Sequence, residues 1–202
     1  MTKKRIHKKP FIVSLVIIAA FVMLMIFSLK KDPSFVTSPL INQKAPFFTA
    51  QTVDGEFVKS EEIFNNKNWV VINFWSSFCY VCKNEAPEIE SFYKYTRSQK
   101  KNNIFFLSVN IQDQKESIQK WQHAFGQTFP VLQDEKGFIS IRYGVTGTPE
   151  TFFINPQGIV KYKIAGAINK NFILDFIQWL EENPDGTLSD AAQAAFLIRS
   201  RP

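Results

Sequence analysis

Two cysteines, Cys79 and Cys82, are all that this chain owns, and they stand in "NFWSSFCYVCKNEAP" with two residues between them. Such a pair can serve as a metal clip, a haem anchor, a structural staple or a redox couple. Structural zinc needs four ligands, and the two histidines do not complete a set, because His7 precedes a long apolar run and His123 stands alone. No metal is expected. A c-type haem anchor needs His directly after the second cysteine, and that position is Lys83. A staple across two residues removes little entropy from the unfolded chain. The redox reading accounts for the placement: a cysteine leaving a buried strand at the start of a helix meets free N–H groups and a macrodipole that favour thiolate over thiol. On this reading Cys79 is the nucleophile. Cys82, one turn later, attacks the mixed disulfide and releases the substrate reduced. Glu85 follows three residues on and shares the Cys82 face of the helix, either as a solvated acid or as a group that tunes the pair.

A second stretch with chemical meaning is "GVTGTPETFFI", residues 144–154. Pro149 has no N–H to give to a ladder, so it belongs at a strand edge or in a special turn.

The elements that position these residues are legible. "WVVINFW", Trp69 to Trp75, reads as a strand buried on both faces, and from Val81 onward Ile89, Phe92, Tyr93 and Thr96 recur at helical spacing around Pro87. Upstream, Asp54-Gly55 signals a hairpin, and Ser60 before Glu61 and Glu62 signals a helix cap. Downstream, "IFFLSVNI" (104–111) reads as a strand, 113–126 as a helix closing at Gly126, and "FPVL" as a short strand. A helical turn over 139–143, the strand "ETFFI", the turn "NPQG", the strand "IVKYKIAG" and a last amphipathic helix over 169–182 complete the domain. Strand-helix units followed by a hairpin and a helix predict a central mixed β-sheet with helices on both faces. The tail, 183–202, fits either a short docked helix or a frayed end.

A chain of 202 residues with 45% hydrophobic content can bury one core plus accessories. Its net charge of +6 is concentrated at one end: residues 1–31 hold seven of the 24 Lys/Arg and no acid, leaving 17 bases against 18 acids. A near-neutral body excludes a phosphate-binding face, so no nucleic-acid partner is expected. The basic segment surrounds Phe11 to Leu29, an uncharged run that spans roughly 28 Å as a helix, close to a bilayer's apolar core. It reads as an uncleaved anchor rather than a signal peptide, whose apolar centre is shorter and ends in a small-residue cleavage site. The basic residues before it favour a cytoplasmic N-terminus. The expected organisation is a cytoplasmic tail over 1–10, an anchor over 11–29, a proline-rich linker over 30–45, a domain over 46–182 and the tail.

Taken together, "KDPSFVTSPLINQKAPFF", "VVINFWSSFCYVCKNEAP" and "YGVTGTPETFFINPQG" resemble the membrane-anchored DsbE/CcmG group of thiol:disulfide interchange proteins, TlpA/ResA-like members of the thioredoxin fold. The resemblance covers roughly residues 30–182. It implies an α/β thioredoxin-like three-layer fold behind one transmembrane helix, a Cys79–Cys82 disulfide as the redox group with no other cofactor, and Trp75 packed near the site. It also implies a cis Thr148-Pro149 bond beside Cys79 whose flanking backbone docks substrate, with Glu85 and Glu150 as the acids that tune the site. Asn73 stands where thioredoxin itself has a buried Asp, and Phe78 and the Tyr80-Val81 pair depart from the usual tryptophan and proline. The implied function is a monomeric inner-membrane, periplasm-facing reductant of apocytochrome c or its haem-ligation partner, recharged by a DsbD/CcdA-type donor. A thiol oxidase or isomerase of secreted proteins and a tethered binding module with an incidental disulfide are the other readings.

Overall fold

The computed structural model describes residues 8–29, 38–98, 103–184 and 186–199, and the chain divides into two units at Pro33/Ser34. The first unit holds α1 (Lys8–Leu29), one unbroken helix whose side chains are exposed over 12–25. Among residues with described side chains no helix is long and apolar enough to cross a membrane. The expected span, 11–29, runs past them at both ends, and the basic tail over 1–7 and the linker over 30–37 lie outside the described residues.

The second unit is built on a five-stranded sheet in the order β5-β4-β3-β6-β7. Its strands are β3 (Trp69–Trp75), β4 (Ile104–Ile111), β5 (Val131–Asp134), β6 (Glu150–Ile154) and β7 (Val160–Ala165). β3, β4 and β5 run parallel, whereas β6 and β7 pair antiparallel, as a crossover helix and a tight hairpin respectively demand. All seven residues of β3 are buried, because both faces are covered. Trp69, Val71 and Trp75 meet α3 (Tyr80–Ser98), α4 (Lys115–Phe125), α6 (Lys170–Glu182) and α7 (Leu188–Arg199). Val70, Ile72 and Phe74 point the other way, towards Phe64 of α2 (Ser60–Phe64) and Ile139 and Tyr143 of α5 (Phe138–Tyr143). This is the expected thioredoxin-like layering.

The hairpin at Asp54-Gly55 joins β1 (Thr49–Gln51) to β2 (Phe57–Lys59), and Val53 N–H bonds the Val131 carbonyl at 2.9 Å to set it against β5. The expected linker is in part a strand-like addition: Asn42 N–H donates to the Val160 carbonyl at 2.8 Å and Ala45 N–H to that of Gly158 at 2.9 Å.

Three local expectations change. Ser60 does not cap α2; it is the first helical residue, wholly buried, and its Oγ accepts the Phe48 N–H at 2.8 Å. The helix expected from 113 starts at Lys115, because the Asp113 carboxylate is engaged by Asn110 and Ser77. The strand expected at 129–132 lies at Val131–Asp134, where β4 offers partners from Ser108 to Ile111. The tail resolves as α7, opened by a reciprocal cap in which Thr187 donates to Asp190 Oδ2 and Asp190 N–H returns a bond to Thr187 Oγ1. The Thr187 hydroxyl and the Thr187 N–H, both donated to the Asp190 carboxylate, hold it below its usual range.

Tyr143, wholly buried, donates its hydroxyl to the Pro46 carbonyl at 3.1 Å. Burial pushes its phenol well above the ordinary value, against the smaller opposite pull of Arg142. With the folded pKa raised, the protonated phenol stabilises the fold fully below about pH 10, the unfolded value, and that contribution is lost as pH rises above it. Tyr143→Phe is therefore expected to lower stability by about 1 kcal/mol at neutral pH and to lose less than the parent above about pH 10, as read from urea midpoints.

Candidate functional site

β3 ends at Trp75, and four residues carry the chain to Tyr80, where α3 begins. The turn is held by Ser77 N–H on the Asp113 carboxylate at 2.6 Å and by Cys79 N–H on the Ser76 carbonyl at 3.1 Å. Cys79 thus occupies the residue before the helix, and its Sγ accepts the N–H of Cys82 at 3.0 Å. An acceptor there satisfies one of the helix's orphan donors, and a thiolate is the stronger acceptor because it is charged. Cys79 and Cys82 form a disulfide with Cα atoms 5.2 Å apart. Cys79 is half-buried and Cys82 only 2% exposed, so the Cys79 sulfur is the one open to attack.

From the opposite side comes the loop before β6. Its Thr148-Pro149 bond is cis, and the Thr148 carbonyl lies 3.3 Å from Cys79 Sγ, a distance at which the reduced thiol can donate to it. Pro149 is buried at the start of β6, where it interrupts no ladder, and its carbonyl accepts the Gly166 N–H at 2.8 Å. Trp75 packs into the same cluster as both cysteines, stacks on Trp121 with ring centroids 4.9 Å apart, and donates Nε1–H to Ser108 at 2.8 Å.

The two acids sit on opposite faces of the sheet. Glu85 is 3% exposed, far from a solvated surface acid. Its Oε2 accepts Asn73 Nδ2 at 3.2 Å and its Oε1 accepts the Ile168 N–H at 3.1 Å. Asn73 also donates to Thr151 at 3.1 Å, so the amide that replaces thioredoxin's Asp serves to orient a carboxylate supplied by the helix. Glu150 faces the α5 side. Its Oε2 is 2.8 Å from Lys163 Nζ, both side chains being almost wholly buried, and its Oε1 accepts the Thr146 hydroxyl at 2.6 Å.

Beside the disulfide lies an open groove of about 500 Å³, lined among others by Phe78, Asp113, Ile141 and Thr148. Phe78 is 86% exposed, and Tyr80, Val81 and Ile141 are exposed around it, an apolar rim beside a reactive sulfur. Among the described residues no cluster of three or more His, Cys, Asp or Glu side chains forms. Sequence reasoning missed Lys163, Thr146 and Asp113. Lys163 had a signal: in "VKYKIA" it falls on the strand face opposite Tyr162 and Ile164, and a sheet covered on both faces leaves no solvent for its charge.

Residues 41–163 match the AhpC/TSA family. The thiol:disulfide interchange protein DsbE of Pasteurella multocida is 29% identical over 80% of this chain and 86% of its own length. The thiol-disulfide oxidoreductase ResA of Bacillus subtilis is 28% identical over 68% and 74%. Among solved structures, that of dsbF from MTB in its mixed oxidised and reduced forms is similar with a TM-score of 0.56 and 26% identity, over 68% of this chain and 94% of that one. With more than half its length matched and the thioredoxin-like layers in place around a Cys-x-x-Cys disulfide, the chain belongs to the AhpC/TSA family, with proteins named DsbE and ResA among its relatives.

Proposed function

We propose that this thiol:disulfide oxidoreductase is a membrane-tethered reductant, working as a monomer on the periplasmic side of the inner membrane. Its substrate is the disulfide of apocytochrome c, or of the partner that presents it, before haem attachment. The observation that carries the redox reading is Cys79 Sγ itself, capped by the Cys82 N–H and facing the Thr148 carbonyl. The tether is supported by the apolar side chains exposed over 12–25 of α1, within a run of sequence that has no charge from Phe11 to Leu29.

In the reduced protein, the Cys79 thiolate attacks one substrate sulfur, and the electron pair of the broken S–S bond leaves on the other as a thiolate. Cys82 then gives up its proton and attacks Cys79 Sγ, which releases the substrate sulfur first attacked as a thiolate and restores the Cys79–Cys82 disulfide. Glu85, a buried carboxylate on the Cys82 face of α3, is the group proposed to take that proton. A dithiol donor of the DsbD/CcdA kind returns two electrons to close the cycle.

Direction is fixed by potential. Equilibration with glutathione is expected to place the Cys79/Cys82 couple near thioredoxin, at about −270 mV, rather than near the strong oxidants at about −120 mV; the latter value would reject a reductant. The Glu85 charge opposes a neighbouring thiolate. Glu85→Gln is accordingly expected to move the thiolate absorbance titration to lower pH and to make the potential less negative, by roughly 30 mV for each unit of the titration shift. No movement in either quantity would leave Glu85 without a role in tuning. Retention of the full chain, but not of one lacking residues 1–29, in carbonate-washed membranes tests the tether.

A further inference from the structure

We propose that Lys163 is a positioning residue for disulfide exchange: with Glu150 it forms a buried clamp that sets the loop presenting the Thr148 carbonyl to Cys79. This rests on the oxidoreductase reading and adds to it a residue that acts through the loop rather than on the sulfurs.

The loop, residues 144–148, joins α5 to β6 and is itself exposed or half-buried. A segment of that kind holds a fixed conformation only if its backbone is bonded from beneath. Lys163 Nζ donates to the Gly144 carbonyl at 3.0 Å and to Glu150 Oε2 at 2.8 Å. Glu150 in turn accepts the Thr146 hydroxyl at 2.6 Å, and the Thr146 N–H lies 3.3 Å from its carboxylate. One cation and one carboxylate therefore grip both ends of the tripeptide Gly144-Val145-Thr146. Two residues later the Thr148 carbonyl stands 3.3 Å from Cys79 Sγ.

The register explains why the pair can do this. Lys163 lies opposite Phe152 in the β6–β7 ladder, so Glu150 is its diagonal neighbour on the same face. The ammonium also sits 5.5 Å from the centre of the Phe152 ring. Both charges are removed from water, and among the described residues they are satisfied by each other, by the loop and, for the ammonium, by the Phe152 ring. Because the Glu150 charge is matched by Lys163 at contact distance, its field at Cys79 is largely cancelled. Its effect on the site is thus expected to be geometric, whereas that of Glu85 is electrostatic.

The test uses the full chain in detergent, two variants and three readouts. Thr146→Val removes the shortest bond between loop and clamp, the hydroxyl on Glu150, at an exposed position and leaves the ion pair whole; Lys163→Met with Glu150→Leu replaces the pair by apolar groups of similar volume and removes every side-chain hold on the loop. The readouts are turnover of an oxidised peptide with two cysteines spaced by two residues, alkylation of reduced Cys79 by iodoacetamide, and amide hydrogen exchange over 145–148. Both variants should lower the ratio of peptide turnover to alkylation on the order of tenfold, since only the peptide needs a docked backbone. Exchange over 145–148 should quicken by a similar factor while the β3 amides keep their protection. A pair that merely stabilises the fold would lower the melting temperature and leave the ratio unchanged. Wild-type ratio and wild-type exchange in the variant that carries both Lys163→Met and Glu150→Leu overturn the clamp. A parent chain that fails to reduce the peptide sinks the reductant reading instead, and the exchange measurement still decides the clamp.

Discussion

Cys82→Ser is expected to turn the protein into a trap that accumulates mixed disulfides through Cys79, whereas Cys79→Ser yields no adducts and no turnover. The asymmetry follows from position. Cys79 sits at the head of α3, half-buried, with its sulfur bonded by the Cys82 N–H. That N–H belongs to the backbone, so it survives in Cys82→Ser and still favours the thiolate. Cys82 is nearly inaccessible inside the cluster of Ala86, Ile89 and Trp75, and a substrate disulfide cannot reach it in line. Once Cys79 has formed a mixed disulfide, resolution needs a second thiolate one turn along the helix, and serine supplies none. Non-reducing gels of either variant after acid quenching check this. Adducts from Cys79→Ser alone would reverse the order of attack and remove the site as described.

The largest effect on stability is expected from Lys163→Met. It leaves Glu150 buried without a counter-charge, and breaking one side of a buried ion pair typically costs roughly 3–5 kcal/mol. Against a total of about 5–15 kcal/mol for an ordinary domain, that approaches unfolding at room temperature. The second change, Glu150→Leu, removes the stranded carboxylate and should restore most of the loss, since apolar replacements of buried pairs are often neutral. Urea unfolding followed by tryptophan fluorescence measures both. A single variant that loses less than about 1 kcal/mol would mean that Glu150 finds water or a proton, and that the pair is less isolated than its burial indicates.

The parts of this molecule that depend on near neighbours in sequence were legible. A run such as "VVINFW", short, rich in β-branched and aromatic residues and bounded by polar ones, reads as a strand covered on both faces, and Cys79 follows it at the distance a helix start requires. The tail, read as open between a docked helix and a frayed end, had a local signal that went unused: the Thr187 to Asp190 spacing, a capping pattern before a run of alanines. What was not legible depends on register. Asp113 is 36 residues from Ser77, whose N–H it accepts, and Lys163 meets Glu150 only because β6 and β7 pair with Phe152 opposite Lys163. Glu85 shows the same limit from the other side: helical spacing put it on the Cys82 face, but only the fold revealed Asn73 and Ile168 closing over its carboxylate.

The pairing of residues 42–45 with residues 158–160 has a mechanical consequence. Those contacts are at the end of β7 that aligns with Ile154 and Val70, whereas the cysteines follow Trp75 at the other end of β3. The strand from Val70 to Trp75, about 17 Å at the usual rise, and the turn beyond it separate the point where the chain enters the domain from the sulfurs. Force applied where residues 42–45 pair therefore loads one pole of the sheet while the chemistry happens at the other, so it strains the sheet's hydrogen bonds before it reaches Cys79 or the turn at Ser76.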